Sequence, residues 1–192
     1  MTYTPQNFDH LLGTAGFSDQ LLKNHFTLYQ GYVTNTNKLL DSLTQLTTEG
    51  KTTTPEFAEL KRRFGWEFNG MRLHELYFGN IIKTGKKISS TSPLAKKIIA
   101  NFCSYEEWEK DFRATGALRG IGWVILCYDK EADKLFNIWV NEHDVGHLAG
   151  TTPLLIMDVF EHAFMLDYGL KRADYINAFF NALNWSVVEK RI

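Results

Sequence analysis

The chain has 192 residues, 44% of them hydrophobic and 14% aromatic, and a formal net charge of -1. That length suits one domain or two small layers sharing a core, and the balanced charge excludes a general nucleic-acid or membrane-surface binder. No apolar run is long enough to span a bilayer, and the polar first ten residues, with Pro5 among them, do not read as a signal peptide.

Ser18 followed by Asp19 reads as a helix start, a capping hydroxyl with acid in the first turn. The helix then runs through Leu21, Leu22, His25, Leu28, Tyr29 and Tyr32 to about Leu46. Polar residues fill Thr47 to Thr54, and Pro55 opens a second helix that runs through Phe64, Phe68, Met71, His74 and Phe78 and fades near Thr84-Gly85. The pair is expected to form an antiparallel hairpin. The polar stretch Lys86 to Ser92 is the candidate boundary between a helical domain, 1–88, and an α+β domain, 89–192.

Beyond it, Pro93 to Phe102 and Tyr105 to Thr115 read as short helices. Gly122 to Tyr128 and Leu135 to Val140 read as two strands of a hairpin joined by a charged turn. Asn141 to Gly150 is a loop. Pro153-Leu154-Leu155-Ile156-Met157 is a third strand ending in Asp158, followed by a helix around His162 and another from Arg172 to Trp185. The fold class is therefore α+β: an N-terminal antiparallel helical hairpin and a C-terminal α/β layer with a small three-stranded antiparallel sheet. Cys103 and Cys127 both lie in apolar surroundings and read as reduced core thiols, so the location follows as cytoplasmic.

Four polar residues sit where burial is costly. Asp158 ends an apolar strand, and His162 follows four residues on. His25 shares a helix face with Tyr29 and Tyr32, and His74 lies on the apolar face of the second helix. Buried separately, each would need its own partner; one metal ion serves all four. Three imidazoles and one carboxylate, with no thiolate, suit a divalent or trivalent transition ion and disfavour a structural zinc or an iron–sulfur site. His147, in a glycine-flanked loop, and His10 read as surface residues, and Lys61-Arg62-Arg63 as a solvated helix face.

These residues resemble the iron/manganese superoxide dismutases. Asp158-Val159-Phe160-Glu161-His162-Ala163-Phe164 is similar to the family signature D-x-W-E-H-A-[FY], with Phe160 in place of Trp. Phe68-Asn69-Gly70 through Leu73-His74, Gly122-Trp123-Val124-Ile125-Leu126 and Asn184-Trp185 resemble further family segments in the same order. The resemblance implies a superoxide dismutase with iron or manganese, iron preferred, held by His25, His74, Asp158 and His162. It also implies a loop side chain that hydrogen-bonds the metal's solvent ligand, here His143, since Gly70 stands at the alternative helix position. Tyr32 resembles the gateway tyrosine, and Trp123, Phe78 and Trp185 the aromatic wall. Arg172 resembles the basic residue that draws in the anion. Glu161 resembles a residue that crosses a dimer interface, implying superoxide as substrate and a homodimer through the Glu161/His162 region.

One spacing departs from the family. Its first ligand usually stands eight residues before the gateway tyrosine, which here is Asn24; His25 stands seven before Tyr32. At about 100° per residue, seven residues return closer to the same helix face than eight, so His25 is the expected ligand, reconciled by a one-residue deletion or a local bulge. The same departure supports the alternative, a catalytically silent metal-binding relative. Tyr29 falls where the family often has a histidine, and Met165 replaces its tyrosine partner.

Overall fold

The computed structural model describes residues 2–192. Helix α1 spans Asp19–Thr48 and α2 spans Pro55–Gly79. Ser18 Oγ accepts the Leu21 N–H at 3.0 Å and Thr54 Oγ1 accepts the Phe57 N–H at 3.3 Å, so each helix starts on a side-chain cap. α2 stops earlier than its apolar pattern suggests. The reason is tertiary: Asn80 Nδ2 donates to the Ile156 carbonyl at 2.7 Å, and the next residue, Ile81, makes a bridge to Leu183. The chain leaves the helix because Asn80 is taken by the sheet.

α3 (Pro93–Phe102) and α4 (Tyr105–Gly116) lead into strands β1 (Gly122–Asp129), β2 (Lys134–Asn141) and β3 (Thr152–Asp158). The sheet is antiparallel in the order β2-β1-β3, with Trp123 opposite Val140 on one side and Asp158 on the other. β1 and β3 are buried along most of their length, as continuous apolar runs should be. Gly122 is required at the β1 start: its φ is +143°, and a Cβ there would lie 2.0 Å from the Val140 carbonyl oxygen.

After β3 the expected helix around His162 is only one 3-10 turn, Glu161–Ala163, followed by α5 (Met165–Tyr168). The expected helix from Arg172 to Trp185 is two, α6 (Arg172–Asn181) and α7 (Trp185–Glu189). The break falls where Leu183 bridges Ile81 and the Asn184 N–H donates to the Asn80 carbonyl at 2.7 Å. A single hydrophobic core runs from Phe26 and Phe78 in the hairpin through Trp123 and Ile156 to Phe179. Cys103 departs from the sequence reading: it is exposed at the end of α3 with φ +68°, and only Cys127 is buried.

Asn80 ties α2, β3 and the C-terminus together, since Arg191 also donates to its Oδ1 at 2.6 Å. The Asn80→Ala variant leaves a buried carbonyl and a guanidinium short of partners and is expected to lose about 2 kcal/mol. Urea unfolding of the two proteins checks this; an unchanged midpoint would remove Asn80 as the tie.

Candidate metal centre

His25, His74 and Asp158 are buried, and His162 keeps a side-chain exposure of 26%. One ligand atom from each lies within 4.8 Å of the others. The Nε2 atoms of His162, His25 and His74 stand 3.1, 3.2 and 3.6 Å from the same oxygen, Asp158 Oδ2. The hairpin supplies two of these groups and the β3 corner supplies the other two. α1 is an unbroken α-helix from residue 19 to 48, so the seven-residue spacing needs no bulge to bring His25 and Tyr32 round to one face. Asn24 is exposed and takes a hydrogen bond from Gln20.

Hydrogen bonds outside the cluster fix each group. The Phe160 N–H donates to Asp158 Oδ1 at 2.9 Å, and Tyr175 Oη donates to the Asp158 carbonyl at 2.6 Å. His74 Nδ1 donates to the Gly70 carbonyl at 2.5 Å. Burial holds His74 well below its ordinary pKa, reinforced by His25, so its ring is neutral. With the proton on Nδ1, the buried Nε2 is a bare lone pair with no hydrogen-bond partner. That lone pair faces a carboxylate. Burial alone would push the Asp158 carboxyl up, but His162 and His25, by attraction and hydrogen bonds, hold it well below the usual range. A lone pair aimed at an anionic oxygen needs a cation between them, and the donor set of three nitrogens and one oxygen fits iron or manganese.

A second layer covers the cluster. The Trp123 indole donates to His143 Nδ1 at 3.0 Å, and an indole can only donate. Burial brings His143 down to about 4, so the ring is neutral and its proton is assigned to Nε2. That N–H donates to Tyr32 Oη at 2.7 Å. Burial, with the Asp158 charge next, pushes the Tyr32 phenol well above its ordinary value, so it keeps its own proton. The Tyr32 ring stacks on His74 at 5.2 Å. It can do so because the facing residue is Gly70, where a Cβ would lie 2.5 Å from the ring.

Other expected roles fare differently. Trp123 packs edge-on to His74 at 5.0 Å and Phe78 to His25 at 4.9 Å. Trp185 does not join that wall; it packs on Tyr105 and Trp108 beside a cavity of about 550 Å³ at the 85–90 linker. The Arg172 guanidinium is occupied by the Leu118 and Gly120 carbonyls at 2.6 and 2.9 Å. Tyr29 Oη donates to Glu75 at 2.9 Å, which makes Glu75 structural. His10 and His147 are exposed, and His147 Nε2 donates to the His143 carbonyl at 2.9 Å. Two further residues, Phe160 of the signature and Trp66, had no role assigned from the sequence. Phe160 stacks between His143 at 4.9 Å and His162 at 5.1 Å. Trp66 packs on His143 at 4.6 Å; its place two turns before His74, in line with Gly70, was the available signal.

Residues 90–191 match the family described as iron/manganese superoxide dismutases, C-terminal domain. A manganese superoxide dismutase of Haloferax volcanii is 35% identical over 182 residues, covering 94% of this chain and 88% of its own. An iron superoxide dismutase of Sulfolobus acidocaldarius is 34% identical over 168 residues, covering 85% and 79%. One of Aquifex aeolicus is 33% identical over 192 aligned residues, covering 97% and 86%.

His25, His74 and His143 titrate below the ordinary 6.5 when folded. The unfolded chain therefore binds more protons once the pH drops below that value. The stability these rings contribute is fully present above about 6.5 and drains as the pH falls toward the folded values, about 4 for His143. For metal-free protein the urea midpoint should fall between about pH 7 and about pH 4.5, with His143 alone accounting for about 2 kcal/mol. A midpoint that stays flat over that interval would contradict neutral buried rings.

Proposed function

The chain belongs to the iron/manganese superoxide dismutases, and we infer that it converts two superoxide anions and two protons to oxygen and hydrogen peroxide. The observation that carries this reading is the His74 Nε2 lone pair facing Asp158 in a sealed pocket, a placement that only a cation completes. Iron or manganese bound by His25, His74, Asp158 and His162 would supply the one-electron couple that disproportionation needs. Relatives named for each metal are similarly close, and iron is our preference.

The protein's own part is to shape the pocket and to hold protons. Tyr32, Phe78 and Trp123 pack around His25 and His74 and exclude bulk water. His162 is the one partly exposed member of the cluster, on the side of the proposed dimer contact. His143 holds a proton on Nε2 against Tyr32 Oη, and Tyr32 keeps its hydroxyl proton free for a partner in the pocket. Peroxide needs two protons, which come ultimately from solvent; the hydrogen bond from His143 orients Tyr32 so that its hydroxyl can present them one at a time to the pocket. Arg172, busy with two carbonyls, serves the local fold more directly than anion capture.

The silent-relative alternative loses its support, because His25 is in the cluster and Asn24 is outside it. A homodimer through the Glu161/His162 region is supported by the apolar side chains beside it: Met165, Leu166 and Leu170 are 46%, 57% and 91% exposed. A cytoplasmic, antioxidant role is consistent with two free cysteines, and among the described residues no helix is long and apolar enough to cross a membrane.

Purified protein should carry stoichiometric iron or manganese and dismutate superoxide; stoichiometric metal with no turnover would return the silent relative. His25→Ala and His74→Ala should each lose metal, while Asn24→Ala keeps both metal and turnover. The opposite ordering of His25 and Asn24 would move the first ligand. His143→Ala should retain metal and lose about tenfold or more in turnover.

A further inference from the structure

We propose that Glu142 and Trp66 are positioning residues that hold His143 over the metal pocket from its outer side, a role that rests on the reading of His143 given above. His143 is carried by the loop after β2, not by a helix or strand. From the core side its ring is held by Trp123 and Tyr32. From the outer side the Trp66 ring packs edge-to-face against it at 4.6 Å and lies 5.5 Å from Tyr32. The Trp66 indole N–H donates to Glu142 Oε2 at 2.9 Å, and Glu142 is the residue immediately before His143.

Two further features argue that this contact is specified. Glu142 has φ +49°, the left-handed conformation that a side-chain-bearing residue adopts only when its surroundings enforce it. Its N–H donates to the Ile121 carbonyl at 3.3 Å, so the strained residue is tied to the sheet while its carboxylate reaches α2. Trp66 is held in turn. The Arg63 guanidinium lies over its ring at 3.7 Å and pairs with buried Glu67 at 2.9 Å.

The consequence is geometric. α2 carries both Trp66 and His74. The bond from Trp66 to Glu142 therefore fixes the loop's His143 relative to the cluster, at 6.2 Å between the His74 and His143 ring centres. An ionised acceptor on an indole N–H makes this a charge-assisted bond. Glu142 touches neither the cluster nor the pocket; it acts through Trp66 and the backbone of its neighbour.

The test compares three variants of the full-length chain. Glu142→Ala and Trp66→Phe remove the bond from opposite ends, and Glu142→Gln retains an acceptor. Protein loaded with zinc(II), a diamagnetic ion that three histidines and a carboxylate can hold, is read by nitrogen–proton NMR of the histidine rings. Wild type and Glu142→Gln should show one His143 tautomer with a protected Nε2 proton. Glu142→Ala and Trp66→Phe should lose that proton to exchange with water. In iron-loaded enzyme the same two variants should lose about tenfold in kcat, with KM within about twofold and full metal content. Unchanged His143 signals in both overturn the proposal. If Glu142→Ala does not fold, Trp66→Phe, which keeps an aromatic ring on α2 but loses the pyrrole half with its N–H, decides alone. A wild-type protein that does not dismutate superoxide would refute the functional reading and leave the NMR result standing, so the two fail separately.

Discussion

Everything in this fold is arranged around a contact that is unfavourable without a cation. His74 presents an unprotonated nitrogen to Asp158 Oδ2 at 3.6 Å, with His25 and His162 converging on the same oxygen. Water cannot relieve the conflict at His74, which is fully buried. A second proton on Nε2 does not relieve it either, because burial holds the ring neutral. Burying such groups costs several kcal/mol unless they are paired. The surrounding structure reads as the scaffold that sustains that cost: two capped helices on one side, and a strand end locked by Tyr175 and the Phe160 N–H on the other.

The layer above the cluster follows from hydrogen-bond directionality. An indole can only donate, so Trp123 decides that His143 accepts on Nδ1; neutrality then decides that it donates on Nε2. Tyr32 must accept from His143, which leaves its own proton unspent. One fixed donor in β1 thus orients two side chains, one drawn from a loop and one from a helix. Aromatic packing closes the set, with Phe160 between His143 and His162 and Trp66 on the outer face.

Much of this was legible in the sequence because regular elements have periods. Helical spacing brought His25 and Tyr32 to one face, and an apolar strand ending in Asp158 announced a buried carboxylate. What the sequence did not convey were contacts made across the fold. α2 continues its apolar pattern past Gly79, but Asn80 is captured by a carbonyl on β3. Trp185 reads as an aromatic like Trp123, yet α7 packs it onto Tyr105 and Trp108. Arg172 carries a charge that looked free until two carbonyls claimed it. Cys103 sits in an apolar pattern but at a helix end that faces solvent. Local periodicity conveys which face a residue occupies; it says nothing of the partner that face will meet.

The short spacing in α1 and the glycine in α2 are two halves of one solution. In an unbroken helix, seven residues after His25 bring Tyr32 round to lie along α2 beside His74. The ring then occupies the volume that any side chain at position 70 would need, with Cδ1 only 2.5 Å from where a Cβ would stand. A donor reaching the pocket from that helix position is therefore sterically excluded, and the hydrogen bond to Tyr32 has to come from elsewhere. The loop after β2 provides it through His143, at the end of a chain of contacts that begins with Trp123. Gly70 and His143 are thus coupled through Tyr32: a larger residue 70 would displace Tyr32, and a displaced Tyr32 would leave His143 Nε2 without its acceptor.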